Sequence, residues 1–170
     1  MKIILLELLL FNILLSSCNA QNNDSDLKLK AKTEAAKMFN SFVEEDYETF
    51  IELTYPPIVS MAGGEDAMIK ILQKGIGPEV EVLKIEILSC SEMIKDSNNI
   101  QCSLKQKQIM SIDGQKLYTI GDLIGVSYDK GDSWVYLSVS SNTLEKVRSQ
   151  FPEISNKLKV SPQTKPILID

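Results

Sequence analysis

The sequence predicts a single α+β domain, with helices in its front half and four antiparallel strands in its back half. From residue 27 to about residue 72, apolar residues recur at steps of three and four, which is the period of an amphipathic helix. After Pro78 they recur at every second position, which is the period of a strand with one buried face. Helices followed by strands are typical of the α+β class.

An apolar segment stands before this domain. Residues 3–15 are apolar apart from Glu7 and Asn12, and they follow the single cation Lys2, which is the arrangement of a secretory signal peptide. The segment is shorter than the roughly 20 apolar residues that a transmembrane helix needs. It ends in Leu-Ser-Ser-Cys at residues 15–18, which resembles the lipobox of bacterial lipoproteins.

The lipobox resemblance implies a lipid anchor. In such lipoproteins the cysteine, here Cys18, receives a diacylglycerol thioether, the chain is cut before it, and the new amino terminus is acylated with a fatty acid such as palmitate. We therefore expect residues 1–17 to be a signal peptide, and the mature protein to be anchored in the cell envelope, facing the periplasm or the cell surface. An ordinary cleaved signal is the alternative, and Glu7 in the apolar core is the one departure from the pattern.

The mature chain divides into three parts. Residues 18–26 are polar apart from Cys18 and Ala20, so we predict the lipidated cysteine followed by a flexible tether. Residues 27–160 form the single α+β domain, and the Pro-containing residues 161–170 form a surface tail.

Composition excludes several classes of function. The net charge of −5 argues against nucleic acid, which is bound by clustered Lys and Arg. The absence of histidine removes the usual general base near neutral pH, nucleophiles that depend on histidine, and imidazole metal sites. Beyond Cys18 only two cysteines remain, too few for a four-thiolate zinc site. We expect neither a metal nor a cofactor.

Gly, Pro and turn residues divide the chain into elements. The helical half is predicted as a long helix over 27–43, a short helix opened by Asp46 and ended by 55–57, a helical turn over 58–62, and a helix that begins at Glu65 and ends at 75–78. The strand half is predicted as strands over 81–87, 100–105, about 115–128 and 133–139, then a short helix capped by Asn142 or Thr143.

The two remaining cysteines, Cys90 and Cys102, fall on the arms of the first predicted hairpin, nearly symmetric about Asp96. One strand register makes them face one another, whereas a slip of one residue puts them on opposite faces. In an oxidising envelope, a disulfide and two buried free thiols therefore both stay open.

The most specific internal motif runs from Ser127 to Trp134, Ser-Tyr-Asp-Lys-Gly-Asp-Ser-Trp. It matches the Asp-box pattern Ser/Thr-x-Asp-x-Gly-x-x-Trp, which is familiar from sialidase propellers and occurs on other folds as a hairpin turn. We expect a structural turn in which Asp129 accepts hydrogen bonds from backbone amides, Gly131 supplies a positive φ and Trp134 packs beneath. A propeller needs one such turn per blade, and a calcium site at Asp129 and Asp132 lacks further ligands, so a bare turn is favoured.

The order of elements resembles the nuclear-transport-factor-like, cystatin-like α+β fold. Residues 46–50 (Asp-Tyr-Glu-Thr-Phe), residues 53–56 (Leu-Thr-Tyr-Pro) and the turn at 127–134 look like uncharacterised bacterial envelope members of that superfamily, over about residues 30–150. The resemblance implies that the amino-terminal helices pack on a curved four-stranded antiparallel sheet, which wraps the first helix and leaves a conical cavity. A generic α+β domain is the alternative.

Members of this superfamily include isomerases, dehydratases, adaptors and binders, so the fold alone does not assign a function. We favour a membrane-anchored, non-catalytic module that binds a small apolar ligand or an envelope protein partner. The candidate pocket residues are aromatic side chains with a polar tip: Tyr55, Tyr118, Trp134 and Tyr136. Plain core packing is the alternative for each of them.

Two other hypotheses stay open. The first is a small isomerase- or dehydratase-like enzyme that uses a pocket carboxylate as base and a tyrosine as electrophile. Asp122 on the third predicted strand is the catalytic candidate, and exposure at the strand edge is its alternative. The second is an envelope assembly component that has no ligand and holds partners through its sheet face.

Overall fold

The computed structural model of the chain describes the backbone of residues 2–74 and 79–169, and the side chains of residues 23–74, 79–140 and 143–169. In chain order the elements are α1 (Lys2–Val43), α2 (Tyr47–Glu52), α3 (Pro56–Met61), α4 (Glu65–Gln73), β1 (Val80–Cys90), β2 (Ile94–Lys95), β3 (Ile100–Ile112), β4 (Gln115–Ser127), β5 (Val135–Val139), α5 (Ser141–Gln150) and β6 (Ile167–Leu168). The predicted α+β class is confirmed. The helix end predicted at 75–78 lies outside the described residues.

The strands form one antiparallel sheet in the order β1-β3-β4-β5, with β2 paired to β3 and β6 paired to β4. The described sheet has six strands, so the prediction of four was wrong by two. Strands β2 and β6 are two residues long, which is too short for an alternation of apolar and polar residues to show in the sequence.

Strand β3 is also longer than predicted. It runs for 13 residues to Ile112, whereas the alternation predicts an end near Lys105. Four long polar side chains in a row, at residues 105–108, hide the alternation. Asp113 and Gly114, with φ of 51° and 75°, join β3 to β4 in a tight turn.

Helix α1 covers one face of the sheet. Its buried residues recur at the predicted helical spacing and are Leu27, Ala31, Ala35, Met38 and Phe39. They share a hydrophobic core with buried strand residues, among them Cys102, Leu104, Leu123, Trp134 and Tyr136. The face of α1 that was predicted to be apolar is therefore the face that meets the sheet.

The opposite face of the sheet has a second core. Its strand residues are Ile124, Val126, Leu137 and Val139, and they pack with Tyr55, Leu144, Phe151, Ile154 and Leu158. Leu123 and Ile124 belong to different cores because neighbouring side chains on a strand point to opposite faces. Helix α5 and the segment after it thus cover the face that α1 leaves open.

Helix α1 also includes residues 2–26, for which the sequence predicts a signal peptide and a tether. No Gly or Pro interrupts residues 2–43, so no residue type that breaks helices divides the leader from the domain. Within the predicted tether, Asp24 forms a 2.5 Å ion pair with Lys95 of β2. Cys18 lies outside the residues whose side chains are described, and the domain boundaries stay predictions. No described helix is long and apolar enough to cross a membrane.

Two helix starts differ from the predictions. The prolines expected to end α2 also begin α3, because proline fits the first turn of a helix. Helix α5 begins at Ser141 with Ser140 as its N-cap, so the predicted cap at Asn142 or Thr143 was wrong. Thr143 contributes from inside the first turn, where its hydroxyl accepts a 3.0 Å hydrogen bond from the Ser140 amide.

Candidate functional site

The carboxylate of Asp129 holds the turn between β4 and β5. Its oxygens accept hydrogen bonds from the Ser133 amide at 2.9 Å, the Ser133 hydroxyl at 2.6 Å and the Ser127 hydroxyl at 2.8 Å. The Ser127 oxygen in turn accepts a 2.8 Å bond from the amide of Gly131, whose φ is 101°. These hydrogen bonds connect the first residues of the motif, Ser127 and Asp129, to the later residues Gly131 and Ser133.

The same bonds govern the ionisation of Asp129. Desolvation disfavours the charged carboxylate, but the donors of Ser133 and Ser127 outweigh it and lower the pKa of Asp129 to about 2. The negative charge of Asp129 therefore stabilises the turn. Among the described residues, no group of three or more acidic or cysteine side chains is placed to hold a metal ion.

Trp134 lies beneath the turn and connects it to α1. Its side chain is almost completely buried, and its backbone amide donates a 2.9 Å hydrogen bond to the carboxylate of Glu34. Gly125 on β4 makes room for the rings, because a Cβ at this position would lie 3.2 Å from the Trp134 ring and 3.1 Å from the Tyr136 ring. The sequence carries no signal for Glu34, since its position is also one that a solvated helix face would occupy.

Tyr55 and Tyr136 are completely buried, and each hydroxyl has a partner. The Tyr136 hydroxyl donates a 2.7 Å hydrogen bond to the carbonyl oxygen of Ala31 on α1. The Tyr55 hydroxyl donates to the carboxylate of Glu153, and its ring meets Phe151 edge-on with centroids 5.3 Å apart. Burial is the largest cause that raises the pKa of both tyrosines, followed by Glu153 for Tyr55 and the charge of Glu34 for Tyr136.

Tyr118 differs from the other three aromatic candidates because it is only half-buried. It lies on β4, and the ammonium of Lys107 lies 4.5 Å from the centre of its ring. This is a cation–π contact at the protein surface. The structure thus places Tyr55, Trp134 and Tyr136 in the cores and leaves Tyr118 half-buried on β4 beside Lys107.

Asp122 is buried on β4, with an exposed fraction of 4%. Its carboxylate accepts a hydrogen bond from the backbone amide of Ser161 and lies 3.3 Å from the ammonium of Lys105. The same ammonium donates to the Ser161 hydroxyl at 3.0 Å. The catalytic candidate is therefore part of a three-residue junction between the sheet and the carboxy-terminal tail.

The tail continues along β4 beyond this junction. Ile120 and Thr164 exchange two hydrogen bonds, of 2.8 Å and 2.9 Å, and β6 then pairs with Leu117 and Tyr118. The residues predicted to form a surface tail thus add a short strand to the edge of β4 where β5 has ended. Sequence reasoning missed the junction because Lys105 and Ser161 are 56 residues apart.

A polar cavity of about 210 Å³ lies next to Asp122. It is lined mostly by amides and hydroxyls, which come from Gln106, Gln108, Thr119, Ser138, Thr143 and Gln163. The Gln106 side-chain oxygen is buried without a hydrogen-bond partner among the described residues. No tyrosine lines this cavity, so the pairing of Asp122 with a tyrosine that the enzyme hypothesis needs is not formed here.

A larger groove, of about 690 Å³, runs along the outer side of α1 and is bordered by Ile87 of β1. Its apolar floor includes Leu29, whose exposed fraction is 66%, and Ala36. The charged lining residues are ordered along the chain: Lys32 and Lys37 lie on α1, and Glu44 and Asp46 follow it in the turn to α2. None of the four aromatic candidates lines this groove.

The two cysteines lie beneath α1, and both are free thiols. Cys102 on β3 is completely buried, and Cys90 at the end of β1 is half-buried. The structure thus brings together the pair for which the sequence left both states open.

Comparison of the chain with protein-family models, with curated proteins and with solved structures finds no match among any of them.

Proposed function

We propose that this protein is an envelope lipoprotein, anchored through acylated Cys18, and that its domain is a non-catalytic module that binds a protein partner. The observation that carries the proposal is the open groove on α1, which lies on the same helix as the lipobox cysteine. Leu29 lies 11 residues after Cys18, which corresponds to about 16 Å along a helix. A partner in the groove would therefore be close to the bilayer.

The filled space between α1 and the sheet favours a protein partner over a small apolar ligand. Trp134, Tyr136 and Leu104 occupy the region where the superfamily resemblance implies a conical cavity. The close contacts around Gly125, at 3.1–3.3 Å for an added Cβ, leave no room there for a ligand. Binding therefore depends on the outer surface of the domain.

The charge order of the groove limits the chemistry of the partner. Lys32 and Lys37 lie at the end nearer the anchor, whereas Glu44 and Asp46 lie at the far end, and apolar Leu29 and Ala36 lie among them. We therefore expect the bound segment of the partner to carry an acidic residue near the lipid anchor, apolar side chains along its length and a basic residue at the end away from the anchor.

The enzyme alternative finds no support in the geometry. Asp122 is engaged by Ser161 and Lys105, and the hydroxyls of Tyr55 and Tyr136 are engaged by Glu153 and Ala31. A base and an electrophile must reach one substrate together. These groups lie in separate hydrogen-bond networks.

The nuclear-transport-factor-like fold is part of the same proposal. Its support is the packing of a long first helix on the face of the sheet that carries Leu104 and Leu123, followed by four longer antiparallel strands. Spin-label distances that placed α1 away from this face would contradict it.

Acylation is tested by feeding the native bacterium an alkyne-tagged fatty acid and isolating the protein from membranes. We expect the tag on a chain that begins at Cys18, and its loss in Cys18→Ser, while Cys90→Ser keeps it. A cytoplasmic protein that retains its leader, or a Cys18 without fatty chains, would contradict the anchored location.

The partner site is tested with a photo-cross-linking amino acid at Thr33, an exposed groove residue, and at exposed Lys146 on α5 as the control position. We expect a defined cross-linked protein from Thr33 only, and its loss when Lys37→Glu reverses the groove charge. The proposal is wrong if both positions give the same products. It is also wrong if the groove retains a small apolar molecule that purifies with the protein.

A further inference from the structure

Cys90 and Cys102 meet across β1 and β3. Cys90 is the last residue of β1 and is paired with Leu104, two positions after Cys102 on β3. Residues two apart on a strand point to the same face, so Cys102 and Cys90 are diagonal neighbours on the face that α1 covers. Both contact the core beneath that helix.

The two thiols have different access to solvent. Cys102 is completely buried, whereas Cys90 is half-buried and reachable at the edge of the sheet. A soluble oxidant therefore meets Cys90 first.

The electrostatic surroundings of the two thiols also favour Cys90 as the more reactive one. The pKa of Cys90 is lowered, mainly by its hydrogen bond with the Cys102 thiol. Burial raises this pKa, the cations Lys28 and Lys32 lower it further, and the charge of Glu92 raises it. The pKa of Cys102 is raised, first by Cys90 and then by burial. Thiolate character is concentrated on the accessible sulfur.

The residues that follow the two cysteines are held side by side, because the Ser91 amide donates to the Ser103 carbonyl at 2.8 Å and the Ser103 amide donates to the Ser91 hydroxyl at 3.0 Å. Diagonal neighbours have Cα atoms about 7–8 Å apart, and a disulfide needs about 4.4–6.8 Å. Cys90 lies on an edge strand, just after a register shift between Ile87 and Ser89 and just before the irregular residues 91–93. Cys102 pairs with Gly125 inside the sheet. A shift of about 1 Å at the end of β1 is sufficient for a bond.

We propose that Cys90 and Cys102 form a reversible redox site, in which a disulfide oxidant closes an intramolecular bond and a dithiol reductant opens it. The Cys90 thiolate attacks one sulfur of the oxidant, forming a mixed disulfide and releasing the other sulfur as a thiolate. Cys102 then loses its proton and attacks Cys90, which releases the second sulfur. The protein loses two electrons and two protons, and the oxidant gains them as two thiols.

The bond would restrain the segment that connects β1 to β2. This segment includes Glu92, whose carboxylate forms a 2.6 Å ion pair with Lys28 on α1. Oxidation thus joins β1 to β3 next to the ion pair that connects this segment to α1. The inference depends on the proposed envelope location only for the cellular oxidant, because the chemistry itself is testable on the purified protein.

The test uses the full chain extracted from native membranes in detergent, reduced, and exposed to oxidised glutathione. After acid quenching and maleimide blocking, peptide mass analysis should find Cys90 linked to Cys102 with the loss of two hydrogens. The variant Cys102→Ala should hold one glutathione on Cys90. The variant Cys90→Ala should react at Cys102 at least about tenfold more slowly than Cys90 reacts in Cys102→Ala, since a buried thiol reacts only through local opening.

The wild-type measurement stands even if a variant fails to fold. Two free thiols at every glutathione ratio, or a stable glutathione on wild-type Cys90 with no linked peptide, would overturn the proposal. A maleimide-labelled Cys18 without fatty chains would instead contradict the lipid anchor, and the readout at Cys90 and Cys102 would be unaffected.

Discussion

The hydroxyl of Tyr136 on β5 donates a 2.7 Å hydrogen bond to the carbonyl oxygen of Ala31 on α1. Both residues are completely buried. Alanine at positions 31 and 35 lets the helix approach the sheet closely enough for this bond, which joins α1 to β5.

Tyr136→Phe removes only the hydroxyl from this contact. We expect the free energy of unfolding to fall by about 1 kcal/mol, the usual net value of one buried hydrogen bond. Urea denaturation of both proteins measures it. The control is Tyr47→Phe, whose hydroxyl makes no hydrogen bond within the described residues, so its change should be near zero. Equal losses in the two variants would show that the bond to Ala31 does not contribute.

Gly131 has both a positive φ and a close neighbour. Its φ is 101°, and an added Cβ would lie 2.0 Å from the Leu27 side chain, whereas Gly114, with a φ of 75°, has nothing within 4 Å of such a Cβ. We expect Gly114→Ala to cost about 1 kcal/mol for the backbone alone. Gly131→Ala should cost about 2–3 kcal/mol, because Leu27 must also move.

A double-mutant cycle separates the two causes. In a Leu27→Ala background, the extra cost of Gly131→Ala should disappear, while the cost of Gly114→Ala should not change. Thermal or urea unfolding of the six proteins measures this. If the extra cost persists without the Leu27 side chain, the clash is not its origin.

Asp129 predicts a dependence of stability on pH. Its pKa is lowered from an ordinary 3.8 to about 2 in the folded protein. A lowered folded pKa stabilises the fold above the unfolded pKa, and this stabilisation is lost as the pH falls from about 4 to about 2. Since the carboxylate is largely exposed, solvent screening limits it to about 1 kcal/mol or less.

The measurement compares wild type with Asp129→Asn in urea at pH 6 and at pH 3. The advantage of the wild type should be present at pH 6 and smaller at pH 3. Asp132→Asn is the control on the same turn, because Asp132 makes no side-chain hydrogen bond within the described residues. An advantage that grows on acidification would refute the assigned role.

Asp122 predicts a change confined to the carboxy-terminal tail. Asp122→Asn keeps the size of the side chain but removes its negative charge. This charge strengthens the hydrogen bond from the Ser161 amide and forms the ion pair with Lys105. A hydrogen bond to a charged group contributes about 1.5–3 kcal/mol, so amide exchange in residues 161–169 should accelerate by about tenfold or more. Residues 123–126 should keep their protection.

Hydrogen exchange followed by mass spectrometry resolves these segments. Asp113→Asn, in the exposed turn between β3 and β4, is the matched control and should leave the tail unchanged. Uniform acceleration across the domain would mean that Asp122 stabilises the whole sheet rather than the tail.

Local patterns predicted most of the elements. The predicted apolar stripe of α1 runs from Leu27 to Phe42 and is widened by Phe39 and Val43. Its residues up to Phe39 are buried, whereas Val43 is exposed. The alternation after Pro78 and the turn at Asp113-Gly114 predicted three of the longer strands near their observed positions. Strand β2, strand β6 and the far half of β3 were missed because two-residue strands and runs of long polar side chains carry no periodic signal.

The amino-acid sequence by itself determined the class of the fold, the spacing of the helix face that meets the sheet and the residues of the Asp129 turn. These features depend on interactions between residues a few positions apart, whose effects show in the order of the residues. Only the tertiary structure decided which aromatic rings fill the cores, what Asp122 contacts and which cysteines meet. Ala31 and Tyr136 are 105 residues apart in the chain, and Asp122 and Ser161 are 39 apart. Contacts at such separations form only when the sheet register and helix packing bring the residues together.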